Sequence, residues 1–367
     1  MREFVITATK TMESYASKVA EYVTKFSSFA SFAGKINGVG LLKTDCFADG
    51  EKEVVVDSSI RGKDVFIFAC CARNEAGLGV DEAKIELYHA VDALKRAQAE
   101  RLIIFEPYMS CSRSDRTTRR SSVGLWVHLK VLSSLGARHT VTYQLHSDKS
   151  KSMIDPARAV MDDIPALTLL KQRLCDVYIR NIDTLRDQVR NRWAFCSVDA
   201  GGEKLARNFS HSFGVQLVVA HKQRDYSRQN AVECVDILSS QPVEGKVLWV
   251  VDDMVDTAGS IETLIHALIP LKPAEINLMA VHPVFSPPAA ERLKRLSSQG
   301  WLNHIIVTDT VCCEGVEDIP QLEVVPSAEL SAKVIRTIAT NSSMAKLLRD
   351  FNAELYLKTP TLFNRGE

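Results

Sequence analysis

Residues 246–260, which read KVLWVVDDMVDTAGS, constrain the fold of this chain more than any other stretch. The apolar run at 247–251 is rich in β-branched residues and short enough for a fully buried strand. Apolar residues then recur at helical spacing from Ile261 to Leu268, which predicts a helix that begins near Ser260. A buried strand, a short turn and a helix in this order are typical of an α/β fold.

The turn between the predicted strand and helix has the features of an anion-binding site. The first N–H groups of a helix have no acceptor within it, and together with the helix dipole they favour negative charge. Gly259 allows a phosphate to approach the backbone, and Asp252 and Asp253 are placed to hold sugar hydroxyls or a hydrated cation. A turn whose Asp and Thr residues only cap the helix is the alternative. Two adjacent acids, a third acid and a hydroxyl-rich turn favour phosphosugar binding.

Charge and cysteine content exclude several classes of protein. The chain has 367 residues, which suggests two domains, and its 45 basic residues equal its 45 acidic ones. We therefore expect no binding of nucleic acid or membrane, and any phosphate-binding charge must be local. Nine cysteines without a CxxC pair, no secretory leader and no apolar run of membrane-spanning length predict a soluble cytoplasmic protein.

Alternating strand and helix patterns run through both halves of the chain, which predicts an α/β fold with mainly parallel sheets. We predict a first domain at 1–163, a second at 164–345 and a C-terminal tail at 346–367. Residues 147–163 are interpreted as a loop between the domains, and residues 27–44 as a loop-like insertion. Ligands of such sheets bind at the carboxyl ends of the strands, where several polar motifs occur.

Three further predicted strand ends carry polar residues. Asp199 precedes two glycines, which suits a pyrophosphate or Mg²⁺, although an ordinary glycine turn fits equally well. Lys222 and Arg224 alternate after a buried strand, where cations would neutralise a transferring phosphoryl group; a solvated loop pair is the alternative. His146 ends the predicted strand 140–145, and both a structural role and a metal-ligand role stay open for it.

Residues 111–120, CSRSDRTTRR, form the most basic stretch of the chain, with arginines at 113, 116, 119 and 120. Arginine suits polyphosphates and can stack on a purine. A solvated loop is the alternative, but a loop that orders over a nucleotide has the same composition.

Together these motifs resemble ribose-phosphate pyrophosphokinase, also called PRPP synthetase, over roughly residues 47–348. The strongest match is VVDDMVDTAGS at 250–260, which is similar to the family's ribose-5-phosphate-binding loop; phosphoribosyltransferases share a version of it. FADGE at 47–51 with SIRGKDVFIF at 59–68, VDAGGEK at 198–204 and AHKQR at 220–224 resemble stretches specific to the synthetases. The resemblance implies two stacked α/β domains of phosphoribosyltransferase type, each a mainly parallel sheet flanked by helices.

The resemblance also implies roles for individual residues. The ATP-binding positions, in the first predicted domain, are Phe47, Asp49, Glu51, Arg113, Asp115 and His146, with Phe47 against the adenine ring. The implied metal ligands are His146 and Asp199, the catalytic pair is Lys222 and Arg224, and Arg61 matches a position near a regulatory phosphate. The ribose-5-phosphate positions, in the second predicted domain, are Asp252, Asp253, Asp256, Thr257, Ala258, Gly259 and Ser260.

The implied reaction is that of a ribose-phosphate diphosphokinase. The C1 hydroxyl of ribose 5-phosphate attacks the β-phosphorus of ATP, which transfers the β,γ-diphosphoryl group and gives PRPP and AMP. Such in-line transfer depends on positioning and charge neutralisation. The resemblance further implies a Mg²⁺ cofactor, a role in nucleotide biosynthesis, and a homo-oligomer built from dimers, with a hexamer as one form.

Several positions depart from the family's pattern. Ser114 replaces a glutamine, Gln144 replaces an acid near the Mg²⁺-ATP site, and the insertion near 27–44 is additional. SSVGLWV at 121–127 replaces a stretch that helps to build the site where phosphate and ADP regulate many members. We therefore expect altered or absent phosphate regulation.

These departures motivate a second hypothesis, a catalytically weak or inactive subunit that modulates an active paralogue. A third hypothesis, a phosphoribosyltransferase that consumes PRPP, leaves FADGE and the basic loop without a role. The retained cations Lys222 and Arg224 favour the active enzyme, because their loss would remove the charge stabilisation on which this chemistry depends.

Overall fold

The computed structural model describes residues 2–32, 36–117, 120–224, 233–313, 315–316 and 318–359; side chains at 30–32, 222–224 and 233–234 lie outside that description. The chain divides into two compact units. The first comprises residues 1–165, 310–312 and 326–349, and the second comprises residues 166–309, 313–325 and 350–367. The assignment of ATP-binding elements to residues 1–163, of the sugar-binding loop to 164–345 and of a tail to 346–367 stays a prediction.

The first 165 residues alternate strands and helices. The elements are β1 (Phe4–Ala8), α1 (Glu13–Thr24), β2 (Leu42–Cys46), β3 (Lys52–Val56), β4 (Asp64–Phe68), α2 (Val80–Arg96), β5 (Leu102–Glu106), α3 (Gly124–Leu135), β6 (His139–Tyr143) and β7 (Val160–Ile164), with 3₁₀ helices at Ser27–Phe32 and Asp148–Met153. The strands form a parallel sheet in the order β1-β4-β5-β6-β7, and β2 and β3 form a separate antiparallel hairpin.

The core of the first unit explains why these runs become strands and helices. Every residue of β4 and β5 is buried, as expected for parallel strands covered on both faces. One face of α2 packs against this sheet through residues at helical spacing, namely Ala83, Leu87, Ala90, Val91 and Leu94. The apolar periodicity of the sequence therefore positions the loops at the strand ends.

The rest of the chain contains a second run of strands and helices. The elements are α4 (Leu167–Arg173), β8 (Trp193–Ser197), α5 (Glu203–Phe213), β9 (Gln216–Arg224), β10 (Glu233–Ser239), β11 (Val247–Val255), α6 (Gly259–Leu268), β12 (Glu275–Pro283), α7 (Ala289–Ser298), β13 (His304–Thr308), β14 (Leu322–Val325), α8 (Ala328–Ala339) and α9 (Ala353–Lys358). Between α4 and β8 lie π-helices at Leu174–Ile179 and Thr184–Val189 and a helical turn at Arg190–Arg192; 3₁₀ helices occupy Ile269–Leu271 and Met344–Lys346.

The second unit is built on a seven-stranded sheet in the order β10-β9-β8-β11-β12-β13-β14. Its pairs are parallel except β9–β10. The buried faces of α6 and α7 share one apolar core with β8, β11 and β12. The predicted fold class is confirmed: the chain is α/β, with parallel sheets flanked by helices. None of the helices in the described ranges is both long and apolar enough to cross a membrane.

Three predictions of local structure were wrong. The segment 147–163 is not a continuous loop, because β7 begins at Val160 and pairs with β6. The two acids of β7 made this edge strand look like a polar loop in the sequence. The insertion at 27–44 contains a 3₁₀ helix, a bridge from Asn37 to Ile6 and the start of β2, while residues 33–35 lie outside the described residues. The strand predicted at 247–251 continues to Val255.

Candidate functional site

Two adjacent aspartates lie inside the central strand of the second unit. β11 pairs with β8 on one side and β12 on the other, and Asp252 lies opposite Ala280 of β12. Asp253 is only 8% exposed, whereas Asp252 is half-buried. The predicted pair of acids therefore belongs to the last half of the strand instead of following it.

The environment of these aspartates disfavours a second negative charge. Burial raises the pKa of Asp252 well above its ordinary value, and the neighbouring charges of Asp253 and then Asp199 raise it further. The backbone N–H of Asp253 donates to Asp252 Oδ1 at 2.9 Å, which partly offsets this effect. Three carboxyl groups thus share one electrostatic environment, which hydroxyl donors or a cation would stabilise.

The turn after β11 joins the strand directly to α6. Ala258 adopts the left-handed conformation, with φ 59° and ψ 10°, and its methyl group is buried. This conformation costs a residue with a side chain about 1–2 kcal/mol, so its surroundings must hold it there. Helix α6 begins at Gly259, which confirms the predicted start near Ser260 and directs its first N–H groups at the turn.

Asp199 follows β8, the neighbour of β11 in the sheet. The backbone N–H of Gly202 donates to Asp199 Oδ1 at 3.0 Å, and α5 begins at the next residue. A Cβ atom added to Gly201 would lie 3.1 Å from Asp199 Oδ1, so a side chain there would require this carboxylate to shift by a few tenths of an ångström. Because β8 and β11 are parallel, both turns lie at the same edge of the sheet.

Strand β9 brings the predicted catalytic cations to this edge. It pairs in parallel with β8 and continues through Lys222 to Arg224, further than the predicted strand. Their side chains lie outside the described part of the chain, as do Arg119 of the basic loop and residues 225–232. The carboxyl ends of β9, β8 and β11 are neighbours in the sheet. They carry, in that order, the cation pair, Asp199 and the turn between β11 and α6.

The predicted adenine-binding residues form the tip of the β2–β3 hairpin in the first unit. Phe47 is 55% exposed there, and Asp49 and Glu51 are also exposed. The tip closes through Phe47 N–H to the Glu51 carbonyl at 2.8 Å and Gly50 N–H to the Phe47 carbonyl at 2.9 Å. An ordered hairpin therefore presents an aromatic face and two carboxylates to solvent.

The tip end of this hairpin is anchored by a buried carboxylate. Lys52 Nζ lies 3.2 Å from Glu86 Oε2, and Glu86 Oε1 accepts the backbone N–H of Lys10 at 2.8 Å. Lys10 Nζ also donates to the Thr44 carbonyl at 2.6 Å.

The remaining predicted residues of the first unit lie on loops. Arg113 is exposed and Asp115 partly exposed after β5, and His146 is exposed three residues beyond the end of β6 at Tyr143. Since β5 and β6 are parallel neighbours, these two loops meet at one edge of the sheet. Arg61, also exposed, precedes β4 and therefore lies at the opposite edge.

The sequence reasoning missed Arg292 of α7. Its Nη1 atom donates to the backbone carbonyl of Thr257 at 2.8 Å, within the turn before α6. No motif signals this contact, because the two residues are 35 positions apart.

Family models match both halves of the chain. The N-terminal domain of ribose phosphate pyrophosphokinase matches residues 4–136, and a phosphoribosyl transferase domain matches residues 168–301. Together the two matches cover well over half of the chain.

Curated relatives and a solved structure agree with these matches. A ribose-phosphate pyrophosphokinase of Chlorobaculum tepidum is 30% identical over 311 residues, which are 84% of this chain and 88% of that protein. One of Fusobacterium nucleatum is 28% identical and covers 84% of this chain and 90% of that protein. The crystal structure of phosphoribosylpyrophosphate synthetase from Mycobacterium smegmatis matches with a TM-score of 0.77 and 25% identity, covering 93% of this chain and all of that one.

These matches confirm the resemblance inferred from the motifs, the phosphoribosyltransferase-like fold and the enzyme class. The chain therefore belongs to the ribose-phosphate pyrophosphokinase family of enzymes.

Proposed function

We propose that the chain is an active ribose-phosphate diphosphokinase, which transfers the β,γ-diphosphoryl group of ATP to the C1 hydroxyl of ribose 5-phosphate. The products would be PRPP and AMP. The observation that carries the proposal is the juxtaposition of three parallel strand ends: β9 with Lys222 and Arg224, β8 with Asp199, and β11 with its turn. One edge of the second unit's sheet then carries cations for a transferring diphosphoryl group, an acid for a metal and an anion-binding turn.

The sugar phosphate would bind at the end of β11. The N–H groups at the start of α6 and the residues from Asp256 to Ser260 would cradle the 5-phosphate, with the helix dipole adding to the attraction. Asp252 and Asp253 would accept hydrogen bonds from the ribose hydroxyls. The raised pKa of Asp252 supports this role, because a crowded group of carboxyls is stabilised by hydroxyl donors.

ATP would be bound by elements of the first unit. Phe47 has an exposed aromatic face suited to stacking on adenine, and Asp49 and Glu51 beside it can accept hydrogen bonds from the base. Arg113 and Asp115 follow β5, and the guanidinium group suits a polyphosphate.

The residues present fit Mg²⁺, which prefers oxygen ligands and is usually bound by one or two carboxylates together with substrate phosphates and water. Among the described side chains, no group of three or more His, Cys, Asp or Glu residues is arranged to hold a metal by itself. We propose that Asp199, in the second unit, and His146, in the first, are each a ligand of Mg²⁺ bound to the phosphates of ATP. When bound, Mg²⁺ supplies neutralisation of phosphate charge.

The transfer itself would be an in-line displacement. The C1 hydroxyl oxygen of the sugar forms a bond to the β-phosphorus, and the bond from that phosphorus to the oxygen bridging the α-phosphorus breaks, so that AMP leaves with the bridging oxygen. Lys222 and Arg224 would neutralise the negative charge on the moving group.

We also propose that the enzyme acts as a homo-oligomer, and that its regulation by phosphate is altered at Arg61 and residues 121–127.

The relatives described above are named as enzymes, so they give no support to the hypothesis of an inactive regulatory subunit.

AMP release from ATP tests the proposal, with and without ribose 5-phosphate, Mg²⁺ and inorganic phosphate. We expect sugar-dependent and Mg²⁺-dependent AMP from the purified chain and little response to inorganic phosphate. The Lys222→Ala substitution should lower the rate of AMP release by about a thousandfold or more, because it removes much of the charge stabilisation. Lys294→Ala is the matched control, since Lys294 pairs with Asp318 on an exposed surface. A folded wild-type chain that releases no AMP, or a fully active Lys222→Ala variant, would contradict the proposal.

A further inference from the structure

Arg292 bridges the turn before α6 and the first turn of that helix. Its Nη1 atom donates to the Thr257 carbonyl at 2.8 Å, and its Nε atom lies 3.2 Å from Glu262 Oε2. Thr257 precedes α6, whereas Glu262 lies within its first turns. One guanidinium group therefore joins two points on either side of the helix start.

Packing of α7 against α6 fixes the position of this guanidinium. The residue after Arg292 is Leu293, which is fully buried, as are Ala289 and Leu296 on the same face of α7. These residues share one apolar core with the buried face of α6, namely Ile261, Leu264 and Ile265. A side chain that projects from a packed helix is held more accurately than one from a loop.

The contact also sets the direction of a backbone amide. In a trans peptide the carbonyl and the following N–H point in opposite directions. When Arg292 holds the Thr257 carbonyl, the N–H of Ala258 points away from the guanidinium. The contact also supports the left-handed conformation of Ala258, which a residue with a side chain rarely adopts.

Gly259 shows how closely the guanidinium approaches the helix start. A Cβ atom at this position would lie 3.2 Å from Arg292 Nη1 and 3.7 Å from Thr257 Oγ1. A side chain at position 259 would therefore require the Arg292 guanidinium to shift by a few tenths of an ångström.

We propose that Arg292 is a positioning residue for the 5-phosphate of the pentose substrate. It holds the peptide between Thr257 and Ala258 so that the N–H groups at the start of α6 are oriented before the phosphate arrives. Preorganised donors strengthen binding, because they have little orientational freedom left to lose when the ligand associates. The inference rests on the proposed function, since it concerns the same sugar-phosphate site.

Steady-state kinetics of Arg292→Gln, Arg292→Lys and Arg295→Gln test this role. The contact is present before the reaction starts, so its loss should weaken ground-state and transition-state binding alike. We expect Arg292→Gln to raise the KM for ribose 5-phosphate about tenfold or more, with kcat changed less than about threefold. The KM for ATP should stay unchanged, and Arg292→Lys, which keeps one donor, should recover part of the loss. Arg295 pairs with the same Glu262, so Arg295→Gln is the matched control and should behave as wild type.

Calorimetric titration with ribose 5-phosphate, without ATP, separates this inference from the proposed function. A wild-type chain that binds the sugar phosphate but releases no AMP contradicts the proposed reaction only, and the loss of binding in Arg292→Gln then still supports the positioning role. Equal affinity in wild type and Arg292→Gln overturns the inference, as does an equal rise of both KM values, which would indicate general loosening. A wild-type chain with neither binding nor turnover overturns both proposals.

Discussion

Ser114 accepts a hydrogen bond from the backbone N–H of Gly124, with 3.0 Å between Ser114 Oγ and the amide nitrogen. The carbonyl of Ser114 also accepts the N–H of Leu125 at 3.1 Å, so the loop after β5 is tied to the first turn of α3. Both residues lie where the sequence departs from the family's pattern. A Cβ atom at Gly124 would lie 3.1 Å from Ser114 Oγ and 3.2 Å from Ser114 Cβ, so the two departures fit each other sterically.

Ser114→Ala should loosen the basic loop and weaken ATP binding. The loss of one hydrogen bond of about 1 kcal/mol corresponds to a rise of about fivefold in the KM for ATP. Ser133→Ala is the matched control, because the Ser133 hydroxyl bonds only locally to the Lys130 carbonyl on the exposed side of α3. Equal KM values for ATP in the two variants would show that the loop does not depend on this hydrogen bond.

Lys171 should make the stability of the second unit change with pH in the alkaline range. It is 3% exposed on α4, donates to Asn208 Oδ1 and to Ser212 Oγ, and lies over the ring of Phe209. Burial lowers the pKa of Lys171 to about 8, although the charge of Asp350 raises it somewhat. The unfolded chain keeps this proton up to its ordinary pKa of 10.5, so unfolding takes up a proton between these values and stability rises with pH.

The measurement is the free energy of unfolding of wild type and Lys171→Met between pH 7 and pH 11. We expect the wild type to gain about 3 kcal/mol relative to the variant as the pH rises through the window from about 8 to 10.5. Lys294→Met, at an exposed ion pair, should show no such relative change. A constant difference between wild type and Lys171→Met across the window would contradict the prediction.

Asn277→Leu should stabilise the second unit. Asn277 is fully buried in β12, and neither side-chain polar atom has a hydrogen-bond partner among the described residues. A leucine, which has the same number of side-chain heavy atoms with the same branching, removes the cost of burying this amide, so we expect a gain of about 1–2 kcal/mol in urea or thermal unfolding.

Asn303→Leu provides the opposite control for this experiment. Asn303 Oδ1 accepts the backbone N–H of Ile276 at 3.0 Å, so the same substitution there removes a hydrogen bond and should destabilise. An equal loss of stability in both variants would show that burial of the Asn277 amide does not destabilise the folded protein.

Tyr356→Phe should release α9 from the second unit. The Tyr356 hydroxyl donates to the Asp176 carboxylate, 3.0 Å from Oδ1 and 3.2 Å from Oδ2, and the ring packs against Phe351. Hydrogen bonds to a charged acceptor contribute about 1.5–3 kcal/mol, so the amides of α9 should exchange their hydrogens about tenfold faster or more. Tyr22→Phe is the control, since Tyr22 lies on α1 of the first unit. Unchanged exchange in α9 would show that apolar packing alone holds this helix.

Elements with a strong local pattern were predicted well. The helix predicted to begin near Ser260, with apolar residues from Ile261 to Leu268, is α6, because apolar spacing along one face of a helix needs no tertiary information. The edge strands β7 and β14 were missed. β7 contains two acids and β14 contains only four residues, and an edge strand depends on its one neighbour more than on its own composition.

The acids of β11 illustrate a different limit. The sequence indicates that an apolar run ends at Val251, yet Asp252 to Val255 continue the strand because β12 extends alongside them to Pro283. Strand length is set by the partner's hydrogen bonds, which a single segment does not reveal.

By itself, the sequence determined the α/β order and the strand, turn and helix that begin at Lys246, because hydrophobic periodicity and turn chemistry act over a few residues. Only the tertiary structure decided that Arg292 reaches Thr257 and that the ends of β9, β8 and β11 are neighbours. The physical reason is that these contacts depend on how helices pack and which strands pair, and both are set by the whole core and not by any local segment.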